Sequence, residues 1–147
     1  MKKFRTCAIT LALLAYGAMA AAADSTSQAI KRDAPEGITA TFYTCIDNAG
    51  SGTVALAACL STEKATQDTR LNTTYKALLG KLDDKAKDKL IIAERAWLQF
   101  REKNDEFENS IYGDEIIDNL ALTQNEIFSI CERANALDKY LSIANDL

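Results

Sequence analysis

At 147 residues the chain is the size of one domain, and 17 basic against 21 acidic side chains leave it acidic, with no histidine anywhere. The acid excess argues against a nucleic-acid partner, whose phosphates call for Lys and Arg. The missing histidine removes the commonest metal ligand and the usual general base, so neither a metal nor a cofactor is expected.

The first residues have the order of a secretory signal. Met1-Lys-Lys-Phe-Arg5 is a short basic start, Cys7 to Ala23 is an apolar run, and Ala18-Met-Ala20 and Ala21-Ala-Ala23 offer small-residue cleavage sites. The run is short for a membrane span, which takes about 20 residues. Residues 1–23 are therefore read as a cleaved signal peptide, placing the mature chain in a bacterial periplasm or outside the cell, with no membrane insertion after cleavage. Lys2, Lys3 and Arg5 leave with the signal, so the mature balance is 14 basic to 21 acidic, a net −7. Such a charge favours fast encounter with a basic partner. The near cysteines, Cys45 and Cys59, are the natural disulfide of an oxidising compartment. Cys131 is left over and reads as a buried thiol on a helix beside Ile127 and Ala134, with an intermolecular disulfide as the alternative.

Residues 24–41 are polar, hold the single proline, Pro35, and show neither helical nor alternating patterning; they read as an extended or disordered lead-in. The domain follows over 42–147. Ile46 to Gly52 is rich in turn residues. A first helix is expected from about Val54 to Leu79, capped by Thr53, with Leu71, Tyr75, Leu78 and Leu82 on one stripe and Gly80 as its stop. Asp83 caps a second helix, about Asp84 to Tyr112, whose apolar face runs Leu90, Ala93, Trp97, Phe100, Asn104, Phe107 and Ile111 at steps of three and four. Gly113 ends it and Asp114 caps a third helix, with Ile116, Leu120, Ile127, Ile130, Ala134, Leu137 and Leu141 on its stripe, ending near Ala144. Short connections make neighbouring helices antiparallel. The expected fold is all-α: an antiparallel bundle of three long helices with a small N-terminal lobe pinned by a disulfide.

Several of these residues together carry a family resemblance. Cys45 and Cys59 come first, then Asp68, Leu71-Asn72 and Tyr75. Leu90, Glu94-Arg95-Ala96-Trp97 and Phe100-Arg101 follow, and Arg133 with Leu137 close the set. The pattern resembles the LprI-type lysozyme inhibitors, small exported bacterial proteins with a cysteine-stapled helical domain. It spans about Tyr43 to Tyr140. Its most specific pieces are Leu-Asn-x-x-Tyr and Arg-Ala-Trp-x-x-Phe-Arg. The chain departs from it at two places where a second cysteine pair is usual, here Asp105 and Asn125, and at Ile130, where a polar residue is usual. The resemblance implies a periplasmic lysozyme inhibitor that protects peptidoglycan by blocking the enzyme. An alternative of another binding class is an immunity-like or adaptor protein for some other cell-envelope enzyme or complex.

Asp68, Leu71, Asn72, Tyr75, Glu94, Arg95, Trp97, Phe100 and Arg101 read as the structural core of that motif. Trp97 is placed as a core anchor. Arg101, one turn on, can stack on the indole, with Asn72 and Tyr75 as polar partners for Arg101 or Glu94. Partner contact is expected instead either in the Cys45–Cys59 lobe or in an acidic run, Glu102, Asp105, Glu106, Glu108, Asp114 and Glu115, around the end of the second helix. That run suits a basic, lysozyme-like enzyme. Paired carboxylates can cleave glycosides, but an exposed helix end offers no burial to tune their pKa and no base stands ready to activate Ser or Thr. The chain reads as a binding protein and not an enzyme.

Overall fold

A computed structural model describes residues 25–112 and 115–146, so the signal segment, Gly113 and Asp114 lie outside the described residues. The described chain is five helices: α1 Thr26–Asp33, α2 Ala40–Ala49, α3 Thr53–Lys81, α4 Asp84–Ile111 and α5 Ile116–Asn145. Among the described residues no helix is long and apolar enough to cross a membrane.

The three long helices run up, down and up. Lys64 on α3 pairs with Glu126 on α5, and further along Thr74 donates to Asp138, so α3 and α5 are parallel. Glu94 on α4 meets Arg133, while Glu108, later on α4, meets the earlier Asn125 of α5, so α4 is antiparallel to both. Asp83 caps α4 as its position predicts, accepting from the Ala86 amide at 2.8 Å. Several boundaries differ by a residue or two: α4 ends at Ile111, and Glu115, not Asp114, is the N-cap of α5. Gly52, not Thr53, is the N-cap of α3, and α3 continues through Gly80 to Lys81.

The segment read as an extended lead-in contains α1. Its apolar pattern is too short to read as a stripe, because eight residues make little more than two turns, with only Ala29 and Ile30 apolar. What fixes it is polar. Ser25 caps it, and Ser27, buried, donates its amide and hydroxyl to Asp47 of α2 at 3.2 and 2.6 Å. The α1–α2 connection is then gripped by the bundle. Gln67 donates to the Gly37 carbonyl at 2.9 Å, and Asn135 to the Glu36 carbonyl at 2.8 Å. Thr39 donates its amide and hydroxyl to the buried Glu63 at 3.1 and 2.6 Å. The Cys45–Cys59 disulfide adds a covalent tie between α2 and α3. Closing a loop of this length is worth roughly 3 kcal/mol by chain entropy.

One core cluster joins this lobe to the bundle: Ile38, Phe42 and Ile46 against Cys59 and Leu60 of α3 and Ile127 and Cys131 of α5. A second, Leu78, Leu90 and Leu137, closes the other end. The α5 stripe is as expected from Ile127 to Leu137. Cys131 is the free, buried thiol; it donates to the Glu36 carbonyl at 3.3 Å, and burial raises its pKa.

The face of α4 is the main correction. Leu90 is buried and Trp97 half-buried, but Ala93, Phe100, Phe107 and Ile111 are exposed, the last three at 64, 59 and 64 %. Of the expected face only Leu90, Trp97 and Asn104 turn inward, joined by Glu94, Arg101 and Glu108. The cause lies on α5, whose apolar stripe is already used by α3 and the lobe. Beyond Leu137, which packs with Leu90, what α5 offers α4 is polar: Arg133, Glu126 and Asn125. Charge-assisted hydrogen bonds to Glu94 there outweigh burial of the Phe100 side.

Gly37 has φ +104, and a Cβ on it would stand 2.6 Å from the Arg70 guanidinium and 3.3 Å from the Cys131 sulfur. Shifting Arg70 would disturb its bonds to Asn135, at 2.6 Å, and to Asp138, and the positive φ strains any side chain there. Gly37→Ala should therefore cost about 1–3 kcal/mol, measured by urea unfolding; an unchanged midpoint would show that the α1–α2 connection is not gripped in this way.

Candidate partner-binding surface

Eight of the nine motif residues come together. Asp68, Leu71, Asn72 and Tyr75 of α3 face Glu94, Arg95, Trp97 and Arg101 of α4 across a groove of about 390 Å³, with Ile91 and Leu98 completing it. Phe100 does not join them. The polar contacts also differ from expectation. Asn72 donates to the carbonyl of Asp68 on its own helix. The partner of Glu94 is Arg133, through two guanidinium nitrogens at 2.9 and 2.5 Å. Trp97 is an anchor of a mixed kind, with Arg101 5.1 Å and Arg133 5.9 Å from its ring centre. Each such contact is worth about 0.5–2 kcal/mol. Arg101 reaches Glu126 only at 4.0 Å. The motif therefore builds the joint by which α4 is attached.

The acidic run divides in two. Glu102, Glu106 and Glu115 are exposed, with Glu106 bridged to Lys103 at 2.6 Å. Asp105 and Glu108 turn into the α4–α5 seam. Glu108 accepts from Asn104 at 2.8 Å and Asn125 at 3.3 Å. Asp105 shares a small cleft with Glu108 and Glu126. The two positions where a second cysteine pair would be usual thus both lie along this seam. Asp114 lies outside the described residues.

Beside the exposed acids stands an apolar set that the sequence pattern did not single out. Ile111, Ile116 and Ile117 are 63–64 % exposed, and Tyr112 is exposed between them. Placing Phe107 and Ile111 on the core face of α4, and Ile116 on that of α5, concealed it. The available signal was the run of isoleucines on both sides of a short turn, where a helix end has little to pack against. The disulfide lobe has the opposite shape. Between α2 and α3 it has an open groove of about 700 Å³ lined by Cys45, Cys59 and small side chains such as Ala40, Ala55 and Ala58.

Burial raises the pKa of Asp105, with Glu126 and Glu108 adding to it against Arg101 and Lys64. A carboxylate whose folded pKa is raised favours the fold below its unfolded value, about 3.9, and this contribution is lost as pH rises through the folded value. Asp105→Asn should raise the melting temperature at pH 7 by about 1–3 °C and match the parent near pH 3. A lower melting temperature at pH 7 would mean that attraction to Arg101 and Lys64 prevails.

A family profile described as Lysozyme inhibitor LprI matches residues 45–137, well over half of the chain. No curated protein and no solved structure matches it. The matched span opens on the disulfide, contains the whole α3–α4 groove and the Glu94–Arg133 contact, and closes on Leu137 in the core. Members of this family are inhibitors of lysozyme, and they act as binding proteins. The chain belongs to the LprI lysozyme inhibitor family.

Proposed function

We propose that the chain is an exported lysozyme inhibitor, acting in the periplasm or outside the cell, that protects peptidoglycan by filling the enzyme's cleft with the end of the bundle where α4 gives way to α5. The observation that carries this reading is the meeting of two ingredients at that end. Ile111, Ile116 and Ile117 are exposed as apolar anchors, and Glu102, Glu106 and Glu115 are exposed among them. Central apolar contacts supply most of the energy of an interface, and surrounding charge supplies speed and selectivity. A basic enzyme is the complementary partner, and the mature balance of −7 steers it in the same sense. A helix end can enter a cleft, whereas the disulfide lobe presents a groove of its own. Inhibition of this kind is occlusion and asks nothing of the carboxylates but charge.

The test is hydrolysis of cell-wall substrate by chicken-, goose- and invertebrate-type lysozymes with the mature chain in micromolar excess. The account predicts inhibition of at least one type. The double variant Ile116→Asp/Ile117→Asp should lose it at least ~10-fold, as loss of anchors does. Glu102→Lys/Glu106→Lys should lose it several-fold at low salt and less at high salt, since exposed charges are screened over about 10 Å at 0.1 M. Full activity of all three enzymes would refute the function. Inhibition untouched by both variants would refute the surface.

A further inference from the structure

The groove between α3 and α4 is left open by the joint beside it. Arg133 draws Glu94 toward α5, so α4 packs more on α5 than on α3. What remains between α3 and α4 is a concave site of about 390 Å³. Small-ligand sites typically measure about 300–1,000 Å³.

The lining has two characters. Leu71, Ile91, Trp97 and Leu98 make it apolar. Set among them are polar groups that the fold does not use. The Asp68 carboxylate, the Tyr75 hydroxyl and the Arg95 guanidinium have no hydrogen-bond or ion-pair partner among the described residues. Asn72 donates to the Asp68 carbonyl and keeps its side-chain oxygen free. Asp68, Asn72 and Tyr75 are spaced by four and three, so they share one side of α3. Asp68 and Arg95, of opposite charge, line one groove without closing it by an ion pair.

These groups select the chemistry of an occupant. A guanidinium only donates hydrogen bonds and a carboxylate only accepts them, whereas a hydroxyl or an amide does both. An anion would meet Asp68 and a cation would meet Arg95, so the occupant is neutral. An extended peptide finds no edge to pair with, because the backbone of both walls is used inside α3 and α4. A sugar ring fits, with hydroxyls at its rim and C–H groups on its faces. We infer that the α3–α4 groove binds a short N-acetylated saccharide of the kind that builds the peptidoglycan strand. The acetamido group supplies an N–H for Asp68, a carbonyl for Arg95 and a methyl for the apolar lining. Ring hydroxyls are left to Tyr75 and Asn72. The choice of a cell-wall sugar rests on the export and inhibition reading above. Binding here keeps the chain on the polymer it protects, while the α4–α5 tip, which shares no residue with the groove, stays free for the enzyme.

Trp97 is the single tryptophan and lines the groove, so its fluorescence reports occupancy. The mature chain is titrated with the trimer of N-acetylglucosamine and with maltotriose, which lacks acetamido groups. The expected result is a saturable change in emission with the acetylated trimer, and binding at least ~10-fold weaker with maltotriose. Binding should hold between low and high salt, because the ligand is neutral. Asp68→Ala and Arg95→Ala should each weaken it about tenfold, as loss of a hydrogen bond to a charged group does, with helicity by circular dichroism unchanged. Tyr75→Phe, which removes only the hydroxyl, should weaken it several-fold. Asp68→Ala and Arg95→Ala should still inhibit lysozyme as the parent does. No response to either sugar overturns the inference, as does equal binding of the two trimers or by the parent and the variants. Sugar binding by a chain that inhibits no lysozyme supports the site and refutes the inhibitor reading alone. If Trp97 ignores both sugars but responds to lysozyme, and Arg95→Ala weakens inhibition, the groove belongs to the enzyme and the inference falls.

Discussion

The arrangement of the long helices depends on the salt bridge between Glu94 and Arg133. Glu94 is only 8 % exposed, so its charge must be matched where it lies. Arg133 supplies two hydrogen bonds and also approaches the Trp97 ring, whose other guanidinium neighbour is Arg101. Removing either member would leave a buried charge alone, a far larger loss than the net worth of the pair. This joint sets the rotation of α4. Everything α4 shows to solvent, from the outer stripe of Ala93, Phe100 and Phe107 to the acids near its end, follows from that rotation.

The same physics recurs at the other end of the molecule. The α1–α2 connection is held by side chains reading its carbonyls, Gln67 on Gly37 and Asn135 on Glu36, with Arg70 tying Asn135 to Asp138. Apolar burial there comes from Ile38 of the connection and from one side of α2, Phe42 and Ile46. The bundle is thus a well-packed α3–α5 pair to which a small lobe and one helix are fastened by polar contacts and a disulfide. A rigid pair carrying a helix with an unspent apolar edge is a suitable platform for binding. It holds its contact residues in place without asking them to pack inside.

Much of this was legible from residue spacing. Capping at Asp83, the stripe from Ile127 to Leu137 and the short turns gave the three helices and their directions. The Cys45–Cys59 pairing followed from compartment and distance in sequence. Two things were not legible, for one reason. The helix α1 and the orientation of α4 are both decided by polar tertiary contacts, Ser27 with Asp47 and Glu94 with Arg133, and no periodicity of apolar residues records them. On α4 the apolar pattern even pointed the wrong way, because Phe100 and Phe107 serve the surface. Eight of the motif residues line two facing helices without Phe100, and Glu94 and Arg101 find their partners on a third. The acidic run was placed near the end of the bundle, but the isoleucines beside it were hidden by their assignment to the core.

The claim at the centre of this account is that the α4–α5 end of the bundle enters the enzyme while the disulfide lobe stays outside. Amide hydrogen exchange, compared for the chain alone and the chain saturated with an inhibited lysozyme, tests it directly. Protection gained on residues 107–119, with α1 and α2 unchanged, is the predicted result. Protection gained on residues 40–59, with the α4–α5 end still exchanging as in the free chain, would contradict it.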